Sequence, residues 1–167
     1  MRIRAMVVTL FSASALFLTV QPAAAQDAKV ELAAGYQFFR FLEDGAANVP
    51  AGWGASVAAP TGNAMVKIVG DVAGNYKDGR KLHTFQGGVE LGGSNPKTIP
   101  FIRLLAGAAV NSGGGNTENG FVFTPEAGIK IKGEGRVGAR VAVGFPIFRQ
   151  DGITDKGFRL FAGIFCQ

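Results

Sequence analysis

The sequence predicts an all-β protein, an eight-stranded antiparallel up-and-down transmembrane β-barrel. Three observations predict it. Apolar residues alternate with polar or small ones over eight successive segments, the period of an extended strand. Clusters of Gly, Asn, Asp, Pro and Thr separate the segments and supply the backbone angles that turns need. Beyond Gln26 no long window carries apolar residues at helical spacing. Composition narrows the choice further. Hydrophobic residues make up 47% and charged residues 17%, which excludes a disordered chain. The 25 glycines show no G-X-Y period, which excludes collagen. A single cysteine, Cys166, excludes a disulfide scaffold, and a single histidine, His83, excludes a multi-histidine metal site.

The chain opens on an address. Arg2 and Arg4 precede an apolar run from Met6 to Val20, followed by Pro22 and Ala23-Ala24-Ala25. This is the pattern of a secretory signal peptide over 1–25, cleaved after Ala25, and the run is short of the ~20 residues of a membrane helix. Residues 26–167 form the barrel domain. The net charge of +5 owes two units to the leader's arginines, and no basic block suits nucleic acid.

Strands are expected near 29–41, 52–60, 65–76, 81–92, 99–111, 119–132, 136–148 and 157–167. Every second residue of each segment is uncharged, as in Val30, Leu32, Ala34, Tyr36 and Phe38, or Val137, Ala139, Val141, Val143 and Phe145. The opposite phase holds Glu31, Asp71, Glu90 and Glu126 with Lys67, Arg103, Lys130, Arg140 and Arg159. With alternate strands running up and down, Tyr36, Phe38, Trp53, Tyr76, Phe85, Phe121, Phe123, Phe145 and Phe158 fall toward one rim, all in the uncharged phase. An aromatic ring on the uncharged face is the interfacial girdle of a membrane barrel. Closure then satisfies every backbone group in lipid. The nine charges are expected inside, where acid and base pair. The alternative is a secreted lipocalin-like barrel with the phases reversed. Position 141 is expected to face lipid and 142 the lumen, so that an arginine is better tolerated at 142. Pro125 and Pro146 fall inside strands. Pro146 fits near the rim, whereas Pro125 calls for a bulge or a lower strand boundary.

With "VELAAGYQFF" opening the first strand, "IVGDVAGNY" in the third and "GFRLFAGIF" closing the last, the chain over 26–167 resembles the small OmpA/OmpX-like eight-stranded outer-membrane barrels. The resemblance implies a bacterial outer-membrane location, contact with its lipids and with the barrel-insertion machinery, a monomer, and no peptidoglycan-binding domain. Such chains end in an aromatic residue; here Phe165 is followed by Cys166 and Gln167.

Other motifs read as structure. Gly133-Glu134-Gly135-Arg136-Val137-Gly138 matches G-x-G-x-x-G, but the residues after it alternate as a strand, so no helix N-terminus awaits a pyrophosphate. His83 suits a lipid-modifying enzyme only with a nucleophile and an acid beside it, and Ser56, Ser94 and Ser112 are not so spaced. Cys166 is read as a bystander, and Asp71 and Glu126 as ion-pair partners rather than a glycosidase pair. The expectation is a non-enzymatic barrel with no cofactor, metal or nucleic acid. An eight-stranded lumen is just wide enough for side chains to fill it, so no large pore is expected. The outward loops are placed at 42–51, 77–80, 111–119 and 149–156, and the role is structural or carried by those loops.

Overall fold

The computed structural model describes residues 29–43, 49–63, 65–93, 95, 97–150 and 152–167. The leader over 1–25 lies outside the described residues, as do Ser94 and residues 44–48 of the first expected loop. The strands are β1 (Glu31–Phe41), β2 (Ala51–Pro60), β3 (Val66–Lys77), β4 (Arg80–Gly92), β5 (Thr98–Gly113), β6 (Asn116–Lys132), β7 (Val137–Gly144), β8 (Ile147–Gln150) and β9 (Ile153–Cys166). Each pairs antiparallel with its neighbour, and β9 returns to β1, from Leu32 opposite Cys166 to Phe41 opposite Gly157. Both β7 and β8 pair with β6 and with β9, so they are two pieces of one barrel strand. The closed barrel has eight strands.

The two prolines explain the break, and they correct the expectation of a bulge. Glu126 faces Gly144 and Phe123 faces Ile147, so the register of β6 runs past the gap unshifted. Phe145 N donates to Pro125 O at 3.0 Å, and Gly157 N donates to Pro146 O at 2.8 Å. Each proline accepts a ladder bond but has no N–H to return. The two missing donors fall side by side, and the ladder lapses there for only two residues.

Two expected loops are corrected as well. Strands β5 and β6 run through 111–119 to a turn at Gly114 and Gly115, with φ of 61° and 86°. Strands β8 and β9 leave only 151–152 of the loop placed at 149–156. Positive φ at both central residues makes a two-residue turn that matches strand twist, so such a hairpin needs no longer loop. Asp78 and Gly79 turn β3 into β4 in the same way, with φ of 50° and 77°.

Eight strands close only if the sheet curls sharply, and inward-facing glycines permit this. A Cβ on Gly88 would strike the carbonyl of Leu104, and one on Gly35 the carbonyl of Ala162. Phenylalanine rings cover other glycines from inside: Phe161 over Gly54, Phe101 over Gly128, Phe165 over Gly138 and Phe39 over Gly157. The abundance of glycine therefore reflects wall curvature and ring packing as well as turns. Gly138→Val should force the Phe165 ring aside and cost about 1–3 kcal/mol in urea unfolding of the refolded barrel. Ala139→Val, on the exposed outer face, should leave the midpoint unchanged.

Candidate functional site: a charged lumen and an aromatic outer rim

The wall has two chemically opposite sides. Val30, Leu32, Val57, Ile68, Val72, Val89, Ile102, Leu104, Ile129, Val141 and Ile164 are all exposed on the outside. Glu31, Asp71, Glu90, Arg103, Glu126, Lys130, Arg140 and Arg159 are buried inside, and Lys67 is half-buried at the end that carries the termini.

The interior charges form two linked groups. Nearer the termini, Lys130 Nζ sits 2.6 Å from both Glu31 Oε1 and Glu90 Oε1. Lys67 Nζ donates to Glu31 Oε2 at 2.9 Å, and Arg103 Nε donates to Glu90 Oε2 at 2.7 Å. In the middle, Arg159 takes Asp71 in a two-bond fork at 2.9 and 3.1 Å, a planar match that favours arginine over lysine. Glu126 accepts from Arg140 at 2.6 Å and from Arg159 at 2.8 Å. Arg103 joins the groups, lying 3.7 Å from Glu126, and Ser56 Oγ accepts from both Arg140 and Arg103, at 2.8 and 3.4 Å. With Ser56 from β2, all eight barrel strands contribute. Phe101 lies within 4.9–5.2 Å of Arg103, Lys130 and Arg140, so its ring face adds to the carboxylate contacts of these three cations.

Toward the loop end the lumen becomes neutral. Gln37 Nε2 donates to Asn75 Oδ1 at 2.6 Å, and Gln86 Nε2 donates to Thr124 Oγ1 at 2.9 Å. Above them Phe39, Val49, Leu82, Ala109, Val122 and Phe148 form an apolar cap, with Phe41 against it. The cap was missed in the sequence. Apart from Val49, which precedes β2, its residues share the charge-bearing phase of their strands, where spacing alone does not separate apolar from charged filling. Ala142 corrects a second expectation. It faces the lumen, but it is buried between Phe101 and Phe161. An arginine there would overpack the cluster and add a cation beside Arg140.

Outside, Tyr36, Trp53, Tyr76, Phe85, Phe121, Phe123 and Phe145 are exposed, while Phe38 and Phe158 are half-buried. Trp53 Nε1 donates to Tyr76 Oη at 3.2 Å, and Tyr76 Oη lies 3.0 Å from His83 Nε2. Among the described residues Tyr76 is the side-chain partner of His83. Ser56 lies on the other side of the wall, between two arginines. The G-x-G-x-x-G segment is the β6–β7 turn, with Gly135 at φ 84°.

No protein-family model matches the chain, and no curated protein matches it. Solved structures do. Neisserial surface protein A, NspA, matches with a TM-score of 0.58 at 13% identity, over 84% of this chain and 99% of that one. Ail, the attachment invasion locus protein of Yersinia pestis, matches with a TM-score of 0.52 at 17% identity, over 81% and 97%. The fold is that of the small outer-membrane barrels. The outer membrane enzyme PagL also matches, with a TM-score of 0.46 at 15% identity, over 82% and 97%.

Glu126→Ala should leave Arg140 and Arg159 short of a buried carboxylate. The expected loss is about 3–5 kcal/mol in urea unfolding of the refolded barrel. Glu126→Gln, which keeps the shape and one acceptor, should lose less.

Proposed function

We propose that this chain is a non-enzymatic integral barrel of the bacterial outer membrane, with a lumen closed to solutes. Its role is structural or carried by the hairpins of the loop end. One observation carries the reading: apolar side chains cover the outside while buried ion pairs fill the inside, the reverse of a water-soluble barrel. The outer face suits hydrocarbon, and the Trp, Tyr and Phe residues toward the loop end suit the headgroup boundary. The terminal end then faces the periplasm. The leader over 1–25 delivers the chain to the envelope, the barrel-insertion machinery places it, and it works as a monomer without cofactor or nucleic acid. The contacts of His83 support a non-enzymatic role. Its ring is held by a tyrosine hydroxyl on the lipid side, and the wall separates it from Ser56.

In a planar bilayer the protein should show little or no steady conductance, because ion pairs, amides and the phenylalanine cap occupy the lumen in turn. A large, stable channel would place it among the porins instead. On the lipid face, Val141→Arg should cost about 2–4 kcal/mol in refolding into vesicles, as a charge near the midplane does. Val141→Leu should cost nothing measurable. Equal stability of the arginine variant would contradict a hydrocarbon surround at that position.

A further inference from the structure

We infer that the outer wall from β7 and β9 across β1 to β4 holds a docking site for an anionic, phosphate-bearing lipid, with its acyl chains in a groove and its phosphate at the rim above β1–β4. The inference rests on the membrane reading and goes beyond it, because any lipid would wet an ordinary barrel wall.

The groove has a volume of about 790 Å³, within the range of roughly 300–1,000 Å³ of small-molecule sites. Ala34, Ala55 and Gly70 are small and leave it open, Val57, Val72 and Phe85 flank them, and Ile164 and Val137 extend it onto β9 and β7. Ladder register places a polar cluster directly above. Two residues further along the same face, Ala34, Ala55, Val72 and Phe85 give way to Tyr36, Trp53, Gly74 and His83. The Trp53–Tyr76–His83 hydrogen-bond chain gathers around Gly74, where a Cβ would meet Tyr76 Oη, Trp53 Nε1 and the His83 ring. The three side chains close over Gly74, which is buried, and together form a polar edge above the apolar groove.

Charge identifies the occupant. Lys81 stands opposite Tyr76 in the β3–β4 ladder, in the outward phase, whereas Lys77 and Arg80 pair at the turn in the inward phase. Along the strands beyond the aromatic rim, Arg40, Lys81, Arg149 and Lys156 occupy the outward phase, whereas Glu118 and Asp155 lie in the inward phase. No ion pair among the described residues engages those four bases. A zwitterionic headgroup gains little from such a rim; a phosphate with net negative charge gains from each base near the surface.

Trp53 is the one tryptophan in the sequence, so its emission reports on this site alone. The test places the folded protein in phosphatidylcholine nanodiscs and titrates the mole fraction of phosphatidic acid, with diacylglycerol as the neutral control. Phosphatidic acid should shift Trp53 emission saturably, and diacylglycerol should not. Lys81→Gln should weaken the response about fivefold, and Arg40→Gln with Lys81→Gln about twenty-fivefold. Both positions are exposed on the outer face, and heat-modifiable gel mobility verifies the folded barrel. The same response to both lipids, or a phosphatidic acid response untouched by the double variant, overturns the docking site while leaving the membrane barrel intact. Failure of the protein to enter nanodiscs at all overturns both.

Discussion

The pairing of β9 with β1 is the constraint on which the rest of the structure depends. In hydrocarbon an unpaired strand edge leaves a row of N–H and C=O groups without partners, so the sheet must close. Closing with eight strands makes the wall curl tightly. Tight curl demands glycine at inward positions where a side chain would strike the neighbouring strand, as at Gly35 and Gly88. It also leaves a lumen that is only just wide enough for side chains to fill. Whatever faces inward must therefore satisfy its own polar groups, and the ion-pair network and the phenylalanines lying on glycines are how it does so.

Burying four carboxylates with five bases is costly unless each charge finds partners. Each of the four carboxylates meets at least one base at hydrogen-bond distance, and three of them, Glu31, Glu90 and Glu126, hold two bases each at under 3 Å. Phe101 and Phe161 present ring faces to the remaining sides of the cations. The network is thus solvated by the protein itself. It ends where the Gln37–Asn75 and Gln86–Thr124 pairs begin, and polarity then falls to zero at the Phe39–Phe148 cap. This gradient along the lumen replaces a water column with a solid interior.

The outward half of this design was legible in the sequence because lipid permits no exceptions. Every second residue from Val137 to Phe145 is uncharged, and that regularity showed the strand; which phase faces outward was read from the aromatic rim on the uncharged face. The inward half was less legible because several chemistries fill a lumen equally well. Phe39 and Phe148 share their phase with Gln37 and Arg140, and nothing in the spacing announces an apolar cap among charges. Pairings were hidden for a different reason. Asp71 meets Arg159 across 88 positions, a distance set by barrel register rather than by local pattern. Loop lengths were overestimated at 111–119 because glycine-rich segments read as loops, whereas Gly114 and Gly115 needed only to supply positive φ.

The lumen charges are not scattered evenly along the chain. Strands β1 to β4 contribute Glu31, Asp71 and Glu90 against a single base, Lys67; strands β5 to β9 contribute Arg103, Lys130, Arg140 and Arg159 against a single acid, Glu126. Each half-sheet taken alone is a curved surface of one dominant sign, and its natural counter-surface is the other half of the same molecule. Two amino-terminal halves brought face to face would repel, as would two carboxy-terminal halves. The counter-charge of each half thus lies on the other half of the same chain, as in the pairs Glu31–Lys130, Glu90–Arg103 and Asp71–Arg159, so the network of the lumen is assembled by bringing the two halves together.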